Sequence, residues 1–140
     1  MVETHEHRSP ALQALSNAMV RLHKEQFGRG PTNARANFAG QDTLVCVLQD
    51  ALLPAERTMV EMGDQNRVRE TRVAFQAATA AEFVTTVEQI VHRTVVAFAS
   101  GVDPDANVVF ETFSFEPLNS GSDGNGTLAA ERAGELGEDR

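Results

Sequence analysis

Cysteine is nearly absent from this sequence, and its scarcity limits how the chain can be stabilised. Among 140 residues there is one cysteine, Cys46, so no disulfide can form within the chain. A lone thiol is typical of a protein in a reducing compartment. No apolar run approaches the roughly 20 residues that a membrane-spanning helix needs, and residues 1–7 lack the apolar core of a secretory signal. These absences favour a cytoplasmic protein.

Positive charge is also in short supply. The chain has 12 Lys and Arg residues against 20 Asp and Glu residues, which gives a formal net charge of -8. Part of the acidic excess lies in residues 118–140. The remaining chain is mildly acidic and lacks the basic field on which sequence-independent nucleic-acid binding and attraction to anionic lipid depend. We therefore expect no nucleic-acid partner and no direct membrane insertion.

Residues 9–28 carry the start signal, the apolar stripe and the stop signal of one helix. Ser9 supplies an N-cap hydroxyl, and Pro10 suits the first helical position because an N–H there has no intrahelical partner. Gly28 can take the left-handed conformation in which helices often end. The expected buried stripe consists of Leu12, Leu15, Met19 and Leu22. The pattern predicts a helix from Pro10 to Phe27.

Four short segments predict strands that pair as two hairpins. Residues 32–38 alternate between apolar and polar side chains, and residues 43–48 form a continuous apolar run. Residues 94–100 and 107–115 flank a turn and form the second pair. In the last strand one face carries Val109, Glu111, Phe113 and Phe115. Because apolar residues occur on both faces of the central strands, we expect cover on both sides of the sheet.

The middle of the chain predicts three helices. The first begins at Pro54. Asp64 can cap a second helix, whose expected apolar face consists of Val68, Thr71, Phe75 and Ala78. Thr79 and Glu82 have the spacing of a capping box, so we predict a third helix that ends near Arg93 and a bend near Thr79.

Together these segments predict an α+β fold of order α-β-β-α-α-α-β-β, with one four-stranded antiparallel sheet packed by helices. If the helices cover one face of the sheet, the apolar residues on the other face need a partner, so we expect a homodimer. We expect one folded domain over residues 9–117, a disordered N-terminus over residues 1–8 and a flexible acidic tail over residues 118–140.

Several blocks of the sequence resemble the small MpsC proteins. The blocks are LSNAMVRL at 15–22, FGRGP at 27–31, DTLVCVL at 42–48, LPAER at 53–57, VRETR at 68–72 and VFETFSFEP at 109–117. The resemblance covers residues 10–117 and implies the soluble component of a sodium-translocating, membrane-potential-generating system linked to uptake of inorganic carbon. It implies no enzyme activity and supplies no catalytic residue.

Four arginines form a candidate anion-binding site: Arg29, Arg35, Arg69 and Arg72. On a helix Arg69 and Arg72 can converge on one flank, whereas Arg67 lies on the opposite flank. With Arg29 or Arg35 brought near by the fold, they can clamp a carboxylate, phosphate or bicarbonate through paired N–H donors. The alternative is that the arginines form ion pairs on a solvated helix face with Glu56, Glu61 or Glu70.

The cysteine and the histidines indicate no second site. Cys46 lies between two valines in a predicted buried strand, which favours a core thiol over a nucleophile. His23 and His92 are isolated on predicted helices, and His5 and His7 lie in a polar tail. We therefore expect no metal site and no cofactor.

Three functions follow from these observations. The resemblance favours an accessory or regulatory subunit of a membrane cation-translocating or inorganic-carbon uptake system, which acts by protein–protein interaction with membrane transport subunits. The arginines favour a cytoplasmic sensor that binds a small anion or a nucleotide. An enzyme is disfavoured because no nucleophile, base and orienting group can be named together. In the first case the protein would reach the inner face of the membrane through its partner.

Overall fold

One four-stranded antiparallel sheet and three helices make up the part of the chain that the computed structural model describes, residues 9–118. The elements are α1 (Pro10–Phe27), β1 (Asn33–Phe38), β2 (Thr43–Gln49), α2 (Pro54–Glu61), α3 (Gln65–Val91), β3 (Val95–Asp103) and β4 (Val108–Phe115). The α+β class and the sheet built from two hairpins are confirmed. The N-terminus predicted over residues 1–8 and the acidic tail from residue 119 onwards lie outside the described residues.

Helix α1 begins and ends at the predicted residues. The Ser9 hydroxyl accepts a hydrogen bond from the Leu12 N–H at 3.1 Å, and Pro10 follows it at the first helical position. At the other end Gly28 has a φ of 87°, and its N–H donates to the Lys24 carbonyl. The buried residues of the helix are Leu15, Ser16, Ala18, Met19, Leu22 and His23. The helix therefore brings one histidine into the core.

The strand order β1-β2-β4-β3 places both hairpins in one sheet, joined by antiparallel pairing of β2 with β4. Cys46 lies directly opposite Glu111, and Leu48 lies opposite Val109, so the inward-facing residues of the central strands form one surface. The apolar residues buried there include Ala36, Leu44, Cys46, Leu48, Val109, Phe113 and Phe115. Helices α1 and α3 pack on this surface, and the core therefore lies on one side of the sheet.

The other face of the sheet has no covering element within residues 9–118. On this face Val47 lies opposite Phe110 and Val45 lies opposite Thr112. The Phe110 side chain is 41% exposed. An antiparallel sheet with one wet face normally places polar residues there. The sequence predicts this surplus of apolar surface, and the homodimer that would cover it stays a prediction.

Helix α3 is continuous over 27 residues, so the predicted bend near Thr79 is wrong. The Thr79 hydroxyl donates to the Phe75 carbonyl at 2.8 Å, as it does inside a helix, and does not cap a new one. Glu82, the other half of the expected capping box, accepts a hydrogen bond from Gln26 Nε2 of α1 at 2.7 Å. Alanines before and after Thr79 propagate the helix because alanine has the highest helix propensity. The second and third predicted helices are therefore one.

The predicted apolar face of this helix is also wrong. Val68 is buried, but the other three residues of that face are exposed: Thr71, Phe75 and Ala78. The side that faces the body carries Arg72 and, farther along, Phe83 and Val87. An arginine can occupy such a position when a buried carboxylate matches its charge. Arg72 has such a partner. The face of α3 that carries Arg72 is therefore the buried one.

Candidate functional site

A cavity of about 240 Å³ lies between α1, α3 and the inner face of β3 and β4. Most of the surface of the cavity is apolar, and the apolar residues that line it are Phe27, Val73, Phe83, Phe98, Val102 and Val109. Val73 and Arg69 belong to this lining and are exposed, so the cavity reaches the surface beside α3. Small-molecule sites usually have this form, concave and mainly apolar with a few placed polar groups.

A buried histidine and a buried glutamate meet at the cavity wall. His23 comes from α1 and Glu111 from β4, and the distance from His23 Nε2 to Glu111 Oε2 is 2.8 Å. The two residues are 2% and 3% exposed. The rings of Phe27 and Phe83 pack against the imidazole, each with its centroid 5.5 Å away. Apolar packing thus isolates this polar pair from solvent.

A second buried pair, Arg72 with Glu56, closes another part of the wall. Arg72 Nε donates to Glu56 Oε2 at 2.8 Å and Arg72 Nη2 donates to Glu56 Oε1 at 2.6 Å, a bidentate arrangement. Nη2 also donates to the Ala51 carbonyl at 3.2 Å. The guanidinium lies 4.0 Å from the centre of the Phe27 ring, in cation–π contact. Glu56 Oε1 accepts from the Leu53 N–H as well, so the same carboxylate caps α2.

Three buried polar atoms lack a hydrogen-bond partner among residues 9–118, and all three belong to residues that line this cavity. They are His23 Nδ1, Arg72 Nη1 and Glu111 Oε1. Buried polar atoms in folded proteins nearly always have a partner, so each exception needs an explanation. Because the exceptions coincide with one cavity, we take this cavity as the candidate functional site.

The structure brings together two of the four arginines of the predicted anion site. Arg69 and Arg72 both line the cavity, and the Arg69 side chain donates to Asn66 Oδ1 at 3.3 Å. Arg67 pairs with Asp64 at 2.9 Å and lies outside the cavity lining, in agreement with the prediction that it would not converge with them. Whether Arg69 and Arg72 bind an anion stays a prediction.

The other two arginines do not line the cavity. Arg29 Nη1 donates to the carbonyls of Asp50 and Leu52, each at 2.9 Å, and thereby fixes the loop after β2. Arg35 is exposed on β1 and alternates with the buried Ala36, so it points away from the cavity. The four arginines do not form one cluster because the sheet separates Arg35 from the rest, although Arg29 and Arg72 bind neighbouring carbonyls of the same loop.

Cys46 is a core thiol, as predicted. It is fully buried on β2, where its neighbour in the pairing with β4 is Glu111. Burial, and to a smaller extent the charge of Glu111, raises the pKa of the Cys46 thiol from 9.0 to about 12. The thiol is therefore protonated at neutral pH and is unsuited to act as a nucleophile.

The sequence did not reveal His23 as a buried partner, and it indicated Glu56 as an arginine partner on a solvated helix face, whereas the Arg72–Glu56 pair is buried. One signal was present: Glu111 shares a strand face with Val109 and Phe113, and a carboxylate on such a face needs a buried partner. Nothing in the sequence shows that α1 supplies this partner, because the contact spans 88 residues of chain.

Residues 9–118 contain neither a cluster of metal-binding side chains nor a helix suited to cross a membrane. Within residues 9–118 no group of three or more His, Cys, Asp or Glu side chains is placed to hold a metal ion. In the same range no helix has both the length and the hydropathy that crossing a bilayer requires.

Comparison with known protein families agrees with the resemblance found in the sequence. The family described as "Na+-translocating membrane potential-generating system (MpsC)" matches residues 8–117. No curated protein and no solved structure matches the chain. The match includes every helix and strand of the described fold, the cavity and both buried pairs, His23 with Glu111 and Arg72 with Glu56. The chain therefore belongs to the MpsC family.

Proposed function

We propose that this protein is an accessory or regulatory subunit of a membrane cation-translocating system linked to inorganic-carbon uptake, and that it acts by protein–protein contact. The family description supports the kind of system, since it names sodium translocation and membrane potential. The protein would act as a homodimer at the inner face of the membrane, held there by a partner subunit.

The observation that carries this proposal is the uncovered apolar surface of the sheet, which we name the open face. Its apolar residues are Val45, Val47, Ala97, Ala99, Val108 and Phe110, and Thr43, Thr112 and Ser114 lie among them on the same face. Its polar edge consists of Asn33, Arg35, Asn37, Gln49 and Asp103. This polar border lies along β1 and at the Gln49 end of the strands, while the β3 edge carries Ala97, Ala99 and Gly101. Apolar contact surface with polar residues at its border is common in protein–protein interfaces.

A second copy of the chain fits the open face. Arg35 and Asp103 lie on the two edge strands, at opposite sides of this face. A two-fold axis parallel to the strands places β1 of one copy over β3 of the other, so that each Arg35, which is level with Gly101, lies two residues along the strand from the Asp103 of the other copy. Strand spacing and rise give a footprint of about 450 Å² per copy, or about 900 Å² for two copies, close to the lower limit of about 1,000 Å² for specific interfaces. We therefore expect a dimer of modest affinity.

Sedimentation velocity over a wide range of concentration tests the dimer. Phe110→Glu places a charge at the centre of the open face and is expected to give a monomer at every concentration. Gln89→Glu adds the same charge to an exposed position of α3 and is expected to leave the dimer unchanged. Equal sedimentation of the wild-type protein and Phe110→Glu would rule out the open face as the dimer contact.

Charge reversal tests the orientation of the two copies. Arg35→Asp and Asp103→Arg are each expected to weaken the dimer, because each places like charges together across the interface. The double variant restores opposite charges and is expected to recover most of the affinity. No recovery in the double variant would contradict the two-fold arrangement but not the use of the open face.

Affinity capture from native membranes and cytosol tests the accessory role. The full chain, tagged at one end, is expected to retain polytopic membrane subunits of a cation-translocating system, identified by mass spectrometry. Phe110→Glu, compared with Gln89→Glu, shows whether the dimer is needed for that contact. Recovery of no membrane protein by the folded, dimeric wild-type chain would contradict the proposal.

A second candidate function is a cytoplasmic sensor of a small anion or a nucleotide. One observation favours it: Arg69 and Arg72 line the same cavity, and Arg72 Nη1 has no partner among the described residues. Bicarbonate or phosphate is then expected to raise the melting temperature, and Arg69→Gln is expected to remove this effect. An unchanged response of Arg69→Gln would exclude this candidate.

A further inference from the structure

We propose that the cavity binds a small uncharged amphipathic molecule, which has a ring-sized apolar body and a head group that both donates and accepts hydrogen bonds. A primary amide and a phenol hydroxyl are heads of this kind. The inference goes beyond the accessory role, since none of the side chains of the open face lines the cavity. Ligand binding in the cavity can therefore be tested independently of the dimer.

The size and the walls of the cavity define the apolar body. An engineered protein cavity of about 150 Å³ holds one benzene ring. The cavity here, at about 240 Å³, holds a ring with a small substituent. The rings of Phe83 and Phe98 stack with centroids 5.8 Å apart, and Phe98 stacks in turn on Phe113 at 4.6 Å. Aromatic walls of this kind favour a flat apolar guest.

The three unpartnered atoms define the head group. Arg72 Nη1 can only donate, and Glu111 Oε1 accepts when the carboxyl group is ionised. His23 Nδ1 also accepts in the tautomer whose Nε2 donates to Glu111. A buried polar atom without a partner loses the hydrogen bond that it made to water. A head that offers an acceptor to Arg72 and a donor to Glu111 or His23 satisfies both kinds of atom.

The charges around the cavity favour a neutral head over an anion. Glu56 already matches the charge of Arg72 in a bidentate ion pair. Glu111 belongs to the same lining, where a carboxylate head would meet a carboxylate with little water between them. Arg69 is exposed at the mouth, so solvent screens its attraction for an anion. A neutral head group avoids this repulsion and can still form the hydrogen bonds to Arg72 and to Glu111 or His23.

Three probes of nearly equal size separate the possible outcomes: benzamide, benzoate and toluene. Each is titrated into the full chain while NMR follows the amide signals of Ser100 and Gly101, both of which line the cavity. Benzamide is expected to bind at least about tenfold more tightly than the other two, since each tenfold factor corresponds to about one net hydrogen bond. Equal binding of toluene would show an apolar cavity without a polar subsite and would overturn the proposal. Tighter binding of benzoate, or no binding of any probe, would overturn it as well.

Two variants, with a third as control, test whether the probe binds in the cavity. Ser100→Leu fills the space from β3 and is expected to abolish benzamide binding, whereas Thr85→Leu adds the same side chain at an exposed position of α3 and should bind normally. Glu111→Gln removes the negative charge with little change of shape, so the preference for benzamide over benzoate is expected to fall about tenfold. Unchanged benzamide affinity in folded Ser100→Leu would contradict the assignment, even if Glu111→Gln does not fold.

Discussion

Strand β4 presents two different environments on its two faces. Inward, Val109, Glu111 and Phe113 are 0–3% exposed and lie under two helices. Outward, Phe110 is 41% exposed and lies opposite Val47 with nothing above it in residues 9–118. On the closed face the charged side chain of Glu111 is buried among apolar residues beside its partner His23, whereas on the open face the apolar side chain of Phe110 is left in contact with solvent. Polarity alone therefore does not decide which side of this sheet is inside.

The two faces differ because their side chains need different partners. A carboxylate can be buried when a histidine or an arginine meets it at hydrogen-bond distance, as Glu111 and Glu56 show. An apolar residue needs only to leave water, and a second copy of the chain can supply the cover for Phe110 and Val47. We interpret the inner face as the side that binds a small molecule and the open face as the side that binds protein.

Two phenylalanines of β4 give the sharpest test of this comparison. Phe113→Ala is expected to lower the free energy of unfolding by about 3–5 kcal/mol, because it leaves a cavity in the closed core. Phe110→Ala is expected to change that of the monomer by less than about 1 kcal/mol, since the side chain is already partly in water. Urea denaturation measures the free energy of unfolding of both variants, at a concentration where the protein is monomeric. Equal losses would contradict the distinction between the faces.

Removal of one charge from the closed face is the next largest change. Arg72→Met leaves Glu56 buried without its partner and is expected to cost about 3 kcal/mol of unfolding free energy. The double variant Arg72→Met, Glu56→Leu removes both charges and is expected to lose less than the single variant. Urea denaturation of the two variants measures their free energies of unfolding. A double variant that is less stable than Arg72→Met would contradict this reasoning and would show that Glu56 stabilises the fold mainly through its cap on α2.

The sequence predicts those parts of the fold that depend on local signals. Ser9, Pro10 and Gly28 mark the ends of α1, and alternation marks β4, because caps and strand faces depend on near neighbours. The bend at Thr79 was predicted wrongly, since its hydroxyl has two possible uses and the contact of Glu82 with Gln26 lies far along the chain. A local pattern cannot distinguish a cap from a helix interior when tertiary contacts decide.

The candidate site was less predictable than the fold. Arg69 and Arg72 were placed together because helix geometry fixes residues three apart. His23 was not found, and Glu56 was expected to pair with an arginine in solvent and not in the core, because packing across the sheet and between helices decides which partners are buried. The apolar face predicted for α3 failed for the same reason: one paired arginine takes a core position that the pattern assigned to uncharged residues.

Alkaline pH offers a smaller test of the closed face through Cys46. Because burial and Glu111 raise the pKa of this thiol to about 12 in the folded protein, against 9.0 as the ordinary value, the folded state favours the protonated thiol. Below pH 9 the effect is absent, and from pH 9 towards 12 the free energy of unfolding falls by at most about 1.4 kcal/mol per pH unit. The chain has no tyrosine and a single lysine, so few other groups titrate there. Cys46→Ala is expected to remove this fall, and a fall of equal slope in the variant would assign it to another group.

Isotope-filtered NMR on a mixture of labelled and unlabelled chains tests the central claim most directly, because it detects only contacts between two copies. The account predicts such contacts for the Val47 methyl groups and the Phe110 ring, and none for Phe113 or Val109. Contacts between copies that involve α3 and omit the open face would contradict the account, as would a dimer with no contact at Phe110.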